Sequence, residues 1–207
     1  MIEILGKRSS INVRKVLWVS EELNIHYHQE DWGSGFRDVN TDFFSGLNPN
    51  KMVPVLRDGD FVLWESNSII RYLANRYGDG QLYPHDAVAR ARVDQWLDWQ
   101  ASDLNRSWSY AFMSLVRLSP EHKDSLLLNK SLNSWCEFMR VLEERLSETE
   151  AFITGAAFSL ADIAIGLSVD RWFETPFERP HLEAVNSYYH RLKQRPAFAA
   201  CCTVQAI

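Results

Sequence analysis

Asn50-Lys51-Met52-Val53-Pro54-Val55-Leu56 and, a hairpin's length further on, Trp64-Glu65-Ser66-Asn67 are the stretches whose reading decides the fold. A Pro inside the run from Met52 to Leu56 has no N–H for a ladder, so the strand must start or bend at Pro54. Asp58-Gly59 joins two short strands, Val53–Arg57 and Phe61–Trp64, as a hairpin. Glu65-Ser66 then falls where a strand gives way to a helix, whose first N–H groups form an anion site. That helix runs from Ser66 to Tyr77, with Ile69, Ile70, Leu73 and Tyr77 at helical spacing, and stops at Gly78-Asp79-Gly80. Together the two segments point to a site that holds a peptide by its backbone and by a charged end.

Toward the N-terminus, Ile2–Leu5 reads as a strand and Gly6–Ser10 as a loop. Val13, Val16, Leu17 and Leu23 repeat at helical spacing, and the run around His26–Gln29 alternates as a second strand. The opening is therefore β-α-β, with parallel strands and a right-handed crossover. A polar stretch at Gly33-Ser34-Gly35 precedes a short helix near Thr41–Ser45, closed by Asn48-Pro49. The N-terminal unit is β-α-β-α-β-β-α.

Beyond Pro84 the pattern turns wholly helical. Val93, Trp96, Leu97, Leu104 and Trp108 mark one long helix ending near Ser119-Pro120, and Leu132, Trp135, Met139, Leu142 and Leu146 mark a second. Ser159-Leu160-Ala161-Asp162 resembles a capping box that opens the nearly all-apolar Ile163–Leu167, so this helix should be central and buried on most sides. Leu182, Val185, Tyr189 and Leu192 give one more helix before Arg195-Pro196. The expected class is α+β with two domains: residues 1–78, a linker over 79–85, and an all-α domain over 86–207.

Of the 207 residues, 46% are hydrophobic and 24% charged, a globular composition long enough to bury a core. The net charge of -5, with no basic run, argues against nucleic acid as a partner. No apolar stretch reaches membrane-span length, and Met1–Leu5 has no signal-peptide core. The eight Trp exceed what a core of this size ordinarily needs and suggest a pocket or interface. Cys136, Cys201 and Cys202 show neither metal spacing nor a disulfide framework, which fits a reducing cytoplasm and no metal centre. The adjacent Cys201-Cys202 pair reads either as redox-active or, more commonly, as small hydrophobes at a helix end.

Four segments in order carry a family resemblance: Ser9–Val16, Asn48–Leu56, Trp64–Leu73 and Phe158–Asp162. With these the chain resembles a cytosolic glutathione transferase over essentially its whole length. It is most similar to bacterial theta-like and nu-like members, which use Ser, Thr or Asn at the first helix instead of Tyr. The resemblance implies a thioredoxin-like N-terminal domain, an all-α C-terminal domain, and a cytoplasmic homodimer. It also implies glutathione as co-substrate, a small electrophile as second substrate, and no bound cofactor.

The chemistry stands beside the resemblance. A free thiol has a pKa of about 8.5, so activation means stabilising S⁻, and each tenfold gain in the thiolate-to-thiol ratio takes about 1.4 kcal/mol. Donors at the positive end of a helix do this, and Ser10 and Asn12 stand in that place, just before the Val13 helix. From the residues alone, capping is the commoner role for Ser and Asn there. The resemblance assigns the thiolate first to Ser10 and second to Asn12; Lys7 and Arg8 nearby add potential or simply face solvent. Val53-Pro54 matches the family's cis-proline corner, which would leave the Val53 backbone open to the cysteinyl backbone of glutathione. Glu65 and Ser66 would take the γ-glutamyl ammonium and carboxylate; the plain alternative is that Ser66 caps its helix.

Lys51 is the candidate for the glycine carboxylate, though relatives place Gly then Lys before the hydrophobic-Pro pair where this chain has Lys51-Met52. Theta-like relatives also offer an Asp from the long helix of a partner subunit. The aligned position is Ser102, and the acid falls at Asp103, an offset that rotates a helical side chain by about 100°; the role is not carried over. The electrophile pocket of the family lies between the domains, which makes Trp32, Arg106, Trp108 and Phe112 its candidates here. Ser159 and Asp162 read as structural caps. Two rival functions remain open at this point: a glutathione-dependent disulfide or peroxide reductase on the same fold, and a non-catalytic binding or regulatory protein.

Overall fold

In the computed structural model, residues 1–202 are described. The N-terminal elements are β1 (Ile2–Leu5), α1 (Ile11–Glu22), β2 (Tyr27–Glu30), α2 (Asp42–Leu47), β3 (Val55–Asp58), β4 (Phe61–Trp64) and α3 (Ser66–Tyr77). The sheet order is β2-β1-β3-β4, with β1 parallel to β2 and antiparallel to β3, and β3 antiparallel to β4. The β-α-β opening and the hairpin thus form as expected from the sequence. The register pairs Leu5 with both Glu30 and Val55, so the carboxyl end of β1 leads into the same edge at which β3 begins. Pro54 lies just outside β3, and Val53–Pro54 is a cis peptide.

The helical elements are α4 (Ala87–Trp99), α5 (Asn105–Leu115), α6 (Ser125–Thr149), α7 (Leu160–Glu174), α8 (Glu183–Lys193) and α9 (Pro196–Cys202). The single long helix expected from Val93 to Trp108 is instead two α-helices joined by a π-turn at Gln100–Leu104. Every residue of α7 from Leu160 to Trp172 is buried, as its apolar run requires. Ser159 closes its start: the backbone N–H and the hydroxyl both donate to Asp162 Oδ2, at 2.8 and 3.0 Å. Asp162 Oδ1 accepts from the Ile153 N–H at 2.8 Å, tying the preceding loop to the same carboxylate.

Contacts divide the chain into two compact units, Met1–Tyr83 together with the segment beginning at Pro196, and Pro84–Arg195. Residues 86–202 therefore do not all pack as one helical body. Helix α9 lies on α1, where Phe198 meets Trp18 edge-on at 5.0 Å. The last residues of the expected 86–207 domain lie outside the described residues.

Candidate functional site

The loop from β1 to α1 is held close to the corner before β3. The Gly6 N–H donates to Glu30 O at 2.8 Å, and Gln29 Nε2 donates to Gly6 O at 2.7 Å. A Cβ on Gly6 would stand 2.5 Å from Val13 Cγ2 and 3.0 Å from Val53 Cβ, so only glycine allows this approach. Lys7 and Arg8 are engaged on the side of β2 and the loop after it: Lys7 Nζ donates to Ser34 O and Arg8 Nε to Gln29 Oε1.

Ser10 is the N-cap of α1, with extended backbone (φ -77°, ψ 125°), but its side chain makes no cap hydrogen bond. Its carbonyl accepts the Arg14 N–H at 3.0 Å. The half-buried hydroxyl is thus not engaged by its own helix, and the plain capping role does not account for it. Asn12, in the first turn of α1, accepts from Ser66 Oγ at its Oδ1, 3.3 Å away.

Ser66, by contrast, is not the cap of its helix. Glu65 is the N-cap of α3 and Ser66 the first helical residue, 7% exposed. Besides the contact to Asn12, Ser66 Oγ lies 3.5 Å from Lys15 Nζ, which also donates to Asn67 Oδ1 at 3.1 Å. Lys15 is 1% exposed. These bonds join the start of α1 to the start of α3. Lys15 is not among the residues singled out from the sequence, although its i+3 spacing from Asn12 puts both on one helix face.

Glu65 itself is exposed and left-handed, at φ 71° and ψ 111°. A non-glycine residue held there costs on the order of 1–3 kcal/mol, and such strain concentrates at ligand sites. Lys51, also exposed, has φ 55°. The loop that carries it is built on Asn48, which is 3% exposed. Asn48 Nδ2 donates to Met52 O at 2.8 Å, and the Asn50 N–H donates to Asn48 Oδ1 at 3.0 Å. From the sequence Asn48 closes the short helix and opens a resemblance segment, with no role for its side chain; that side chain shapes the turn into Val53.

The four aromatic and basic candidates for a second pocket are placed differently. Trp32 belongs to the core formed with Leu5, Phe44 and Val55, and its indole donates to Glu30 Oε2 at 3.1 Å. Trp108 and Phe112 are also core residues, 6% and 7% exposed, with the Arg171 guanidinium 4.6 and 4.1 Å from their ring centres. Arg106 instead lines a groove of about 420 Å³ with Asp103, Tyr110, Lys130 and Ser131. The structure does not bring Arg106 onto the face that Trp108 and Phe112 occupy.

Asp103 lies within the π-turn and lines the same groove as Arg106. Elsewhere, Cys201 and Cys202 are buried in α9; burial first, and then the charge of Glu21, push the Cys201 thiol up to about 12. It stays protonated near neutrality, which disfavours the redox-active reading. Among the described residues, no group of His, Cys, Asp or Glu is placed to hold a metal ion, and no helix is long and apolar enough to cross a membrane.

Residues 9–76 match the family described as "Glutathione S-transferase, N-terminal domain". The chain is 36% identical over 202 residues to "Glutathione S-transferase GstB" of Escherichia coli strain K12, covering 95% of each. It is 37% identical over 132 residues to "Glutathione S-transferase theta-1" of Homo sapiens, covering 59% of this chain and 53% of that one. Among solved structures, a theta class glutathione S-transferase from Xanthomonas axonopodis pv. citri with glutathione bound superposes with a TM-score of 0.93. That protein is 36% identical, and the match covers 100% of this chain and 99% of that one.

Proposed function

The chain belongs to the glutathione S-transferase family, and on that premise we propose how its residues divide the work. It is a glutathione transferase with a thioredoxin-like N-terminal domain and glutathione as co-substrate. The Ser10 hydroxyl, helped by the Asn12 carboxamide, donates to the glutathione sulfur at the positive end of α1 and favours the thiolate. The Val53 backbone pairs with the cysteinyl unit as an added strand would. The backbone N–H of Ser66 and the other N–H groups opening α3 hold the γ-glutamyl carboxylate, Glu65 takes its ammonium, and Lys51 takes the glycine carboxylate.

The observation that carries this reading is the 3.3 Å bond from Ser66 to Asn12, which puts the proposed γ-glutamyl end one hydrogen bond from the proposed thiol end. The thiolate then attacks a small electrophilic carbon or sulfur. Displacement forms the S–C or S–S bond and releases the leaving group with its electron pair; addition takes a proton from water. The enzyme works as a cytoplasmic homodimer in detoxification. Saturable glutathione binding with a thiolate absorbance band tests the reading. Loss of the band in both Ser10→Ala and Asn12→Ala supports it, and an unchanged band in both removes it.

A further inference from the structure

We propose that Lys15 is a positioning residue for thiol activation: through Ser66 it fixes the Asn12 carboxamide with its N–H groups turned toward the glutathione sulfur. The inference rests on the assignment of Asn12 as a thiolate donor. Lys is almost never fully buried unless paired, because removing its charge from water is unfavourable. Yet Lys15 is 1% exposed on α1, a helix whose other inward residues include Val13, Val16, Leu17 and Trp18. An aliphatic residue would pack there without that penalty, so the polar partners that hold the ammonium, Ser66 and Asn67 among them, point to a function.

The hydrogen inventory supplies one. An ammonium only donates. Asn67 Oδ1 at 3.1 Å and Ser66 Oγ at 3.5 Å must therefore present lone pairs to it. The second distance is long for a hydrogen bond, but attraction between the charge and the hydroxyl dipole acts over it. With its lone pairs turned to Lys15, Ser66 has its single O–H directed away, and Asn12 Oδ1 stands 3.3 Å off to receive it. An amide whose oxygen is so engaged presents both N–H bonds on its other edge. The flipped amide would aim an N–H at a hydroxyl whose own hydrogen needs an acceptor. Burial strengthens each link, because a low local dielectric lets a charge polarise the bonds in line with it.

The test is a pH titration of the thiolate absorbance of saturating bound glutathione in the wild type, Lys15→Met, Lys15→Arg, Asn12→Ala and the Lys15→Met/Asn12→Ala double variant. Lys15→Met should raise the bound thiol's pKa by roughly 1, with Lys15→Arg restoring most of it. In the Asn12→Ala background, Lys15→Met should add no further rise, because the relay ends at Asn12. If Lys15→Met does not yield folded protein, Lys15→Gln replaces it in the same titration with the same expectation. An unmoved pKa in Lys15→Met beside a raised one in Asn12→Ala overturns the relay alone, as does full additivity in the double variant. An unmoved pKa in Asn12→Ala overturns the Asn12 assignment and the relay with it.

Discussion

Gly6 and Val53 approach so closely that a methyl group added to Gly6 would stand 3.0 Å from Val53 Cβ. This contact sets the loop before Ser10 against the corner that carries Val53. Gly6→Ala would meet Val13 Cγ2 as well, at 2.5 Å. Overpacking of this kind destabilises by about 1–3 kcal/mol. We expect a lower denaturant midpoint together with a raised KM for glutathione, because the loop and Val53 must move apart. A variant with unchanged KM would separate the contact from the glutathione site.

Glu65 offers the opposite trade. Its backbone is left-handed, at φ 71°, a conformation that glycine adopts freely. Glu65→Gly should hold or raise stability, by up to about 1 kcal/mol, while the KM for glutathione rises through loss of the carboxylate. Thermal denaturation and steady-state kinetics on the same preparation read both effects. If the midpoint falls with KM unchanged, Glu65 has only a structural part.

Asn48→Ala should act on binding through backbone alone. It removes the side-chain bonds to Met52 O and the Asn50 N–H that shape the turn into Val53. Both bonds are only part-buried, so each is worth about 0.5–1.5 kcal/mol. The KM for glutathione should rise while kcat at saturation changes little. A selective fall in kcat would contradict this.

Asp162 should leave a mark on stability against pH. Burial pushes its carboxyl up to about 6, although hydrogen bonds from Ile153, Ser159 and Tyr188 pull the other way. The folded state thus holds this proton more tightly than the unfolded chain does. The associated stability is fully present below the unfolded value near 4 and is lost as pH rises through the folded value. Over that window the loss is roughly 3 kcal/mol, and above it the contribution is flat. The difference in unfolding free energy between wild type and Asp162→Asn, followed from pH 4 to 7 by denaturant titration, should change by about that amount. A pH-independent difference would contradict a raised carboxyl.

Much of this was legible in the sequence, and what was not has physical causes. The hairpin at Asp58-Gly59 and the helix Ser66–Tyr77 formed where turn chemistry and periodicity placed them. Helix α9 was missed because Pro196 read as a stop, whereas Pro also suits the first turn of a new helix. The π-turn at Gln100–Leu104 leaves the surrounding apolar spacing nearly intact, so periodicity does not reveal it. At the site, Glu65 and Ser66 stand out by their position at a helix start, and Ser10 and Asn12 by the family resemblance. Lys15 and Asn48 do not, because polar residues are read as exposed unless their partners are known. Those partners, Ser66 and Asn67 for one and Met52 for the other, become visible only when the chain has folded.

Ser10, whose hydroxyl makes no cap bond to its own helix, is the proposed donor to the glutathione sulfur. The most direct test is the pKa of the bound thiol, read from thiolate absorbance against pH, in wild type and Ser10→Ala at saturating glutathione. The expected wild-type value lies well below the free-thiol value of about 8.5, with a return most of the way to it in Ser10→Ala. A depressed value that stays unchanged when the hydroxyl is removed would contradict that donor role.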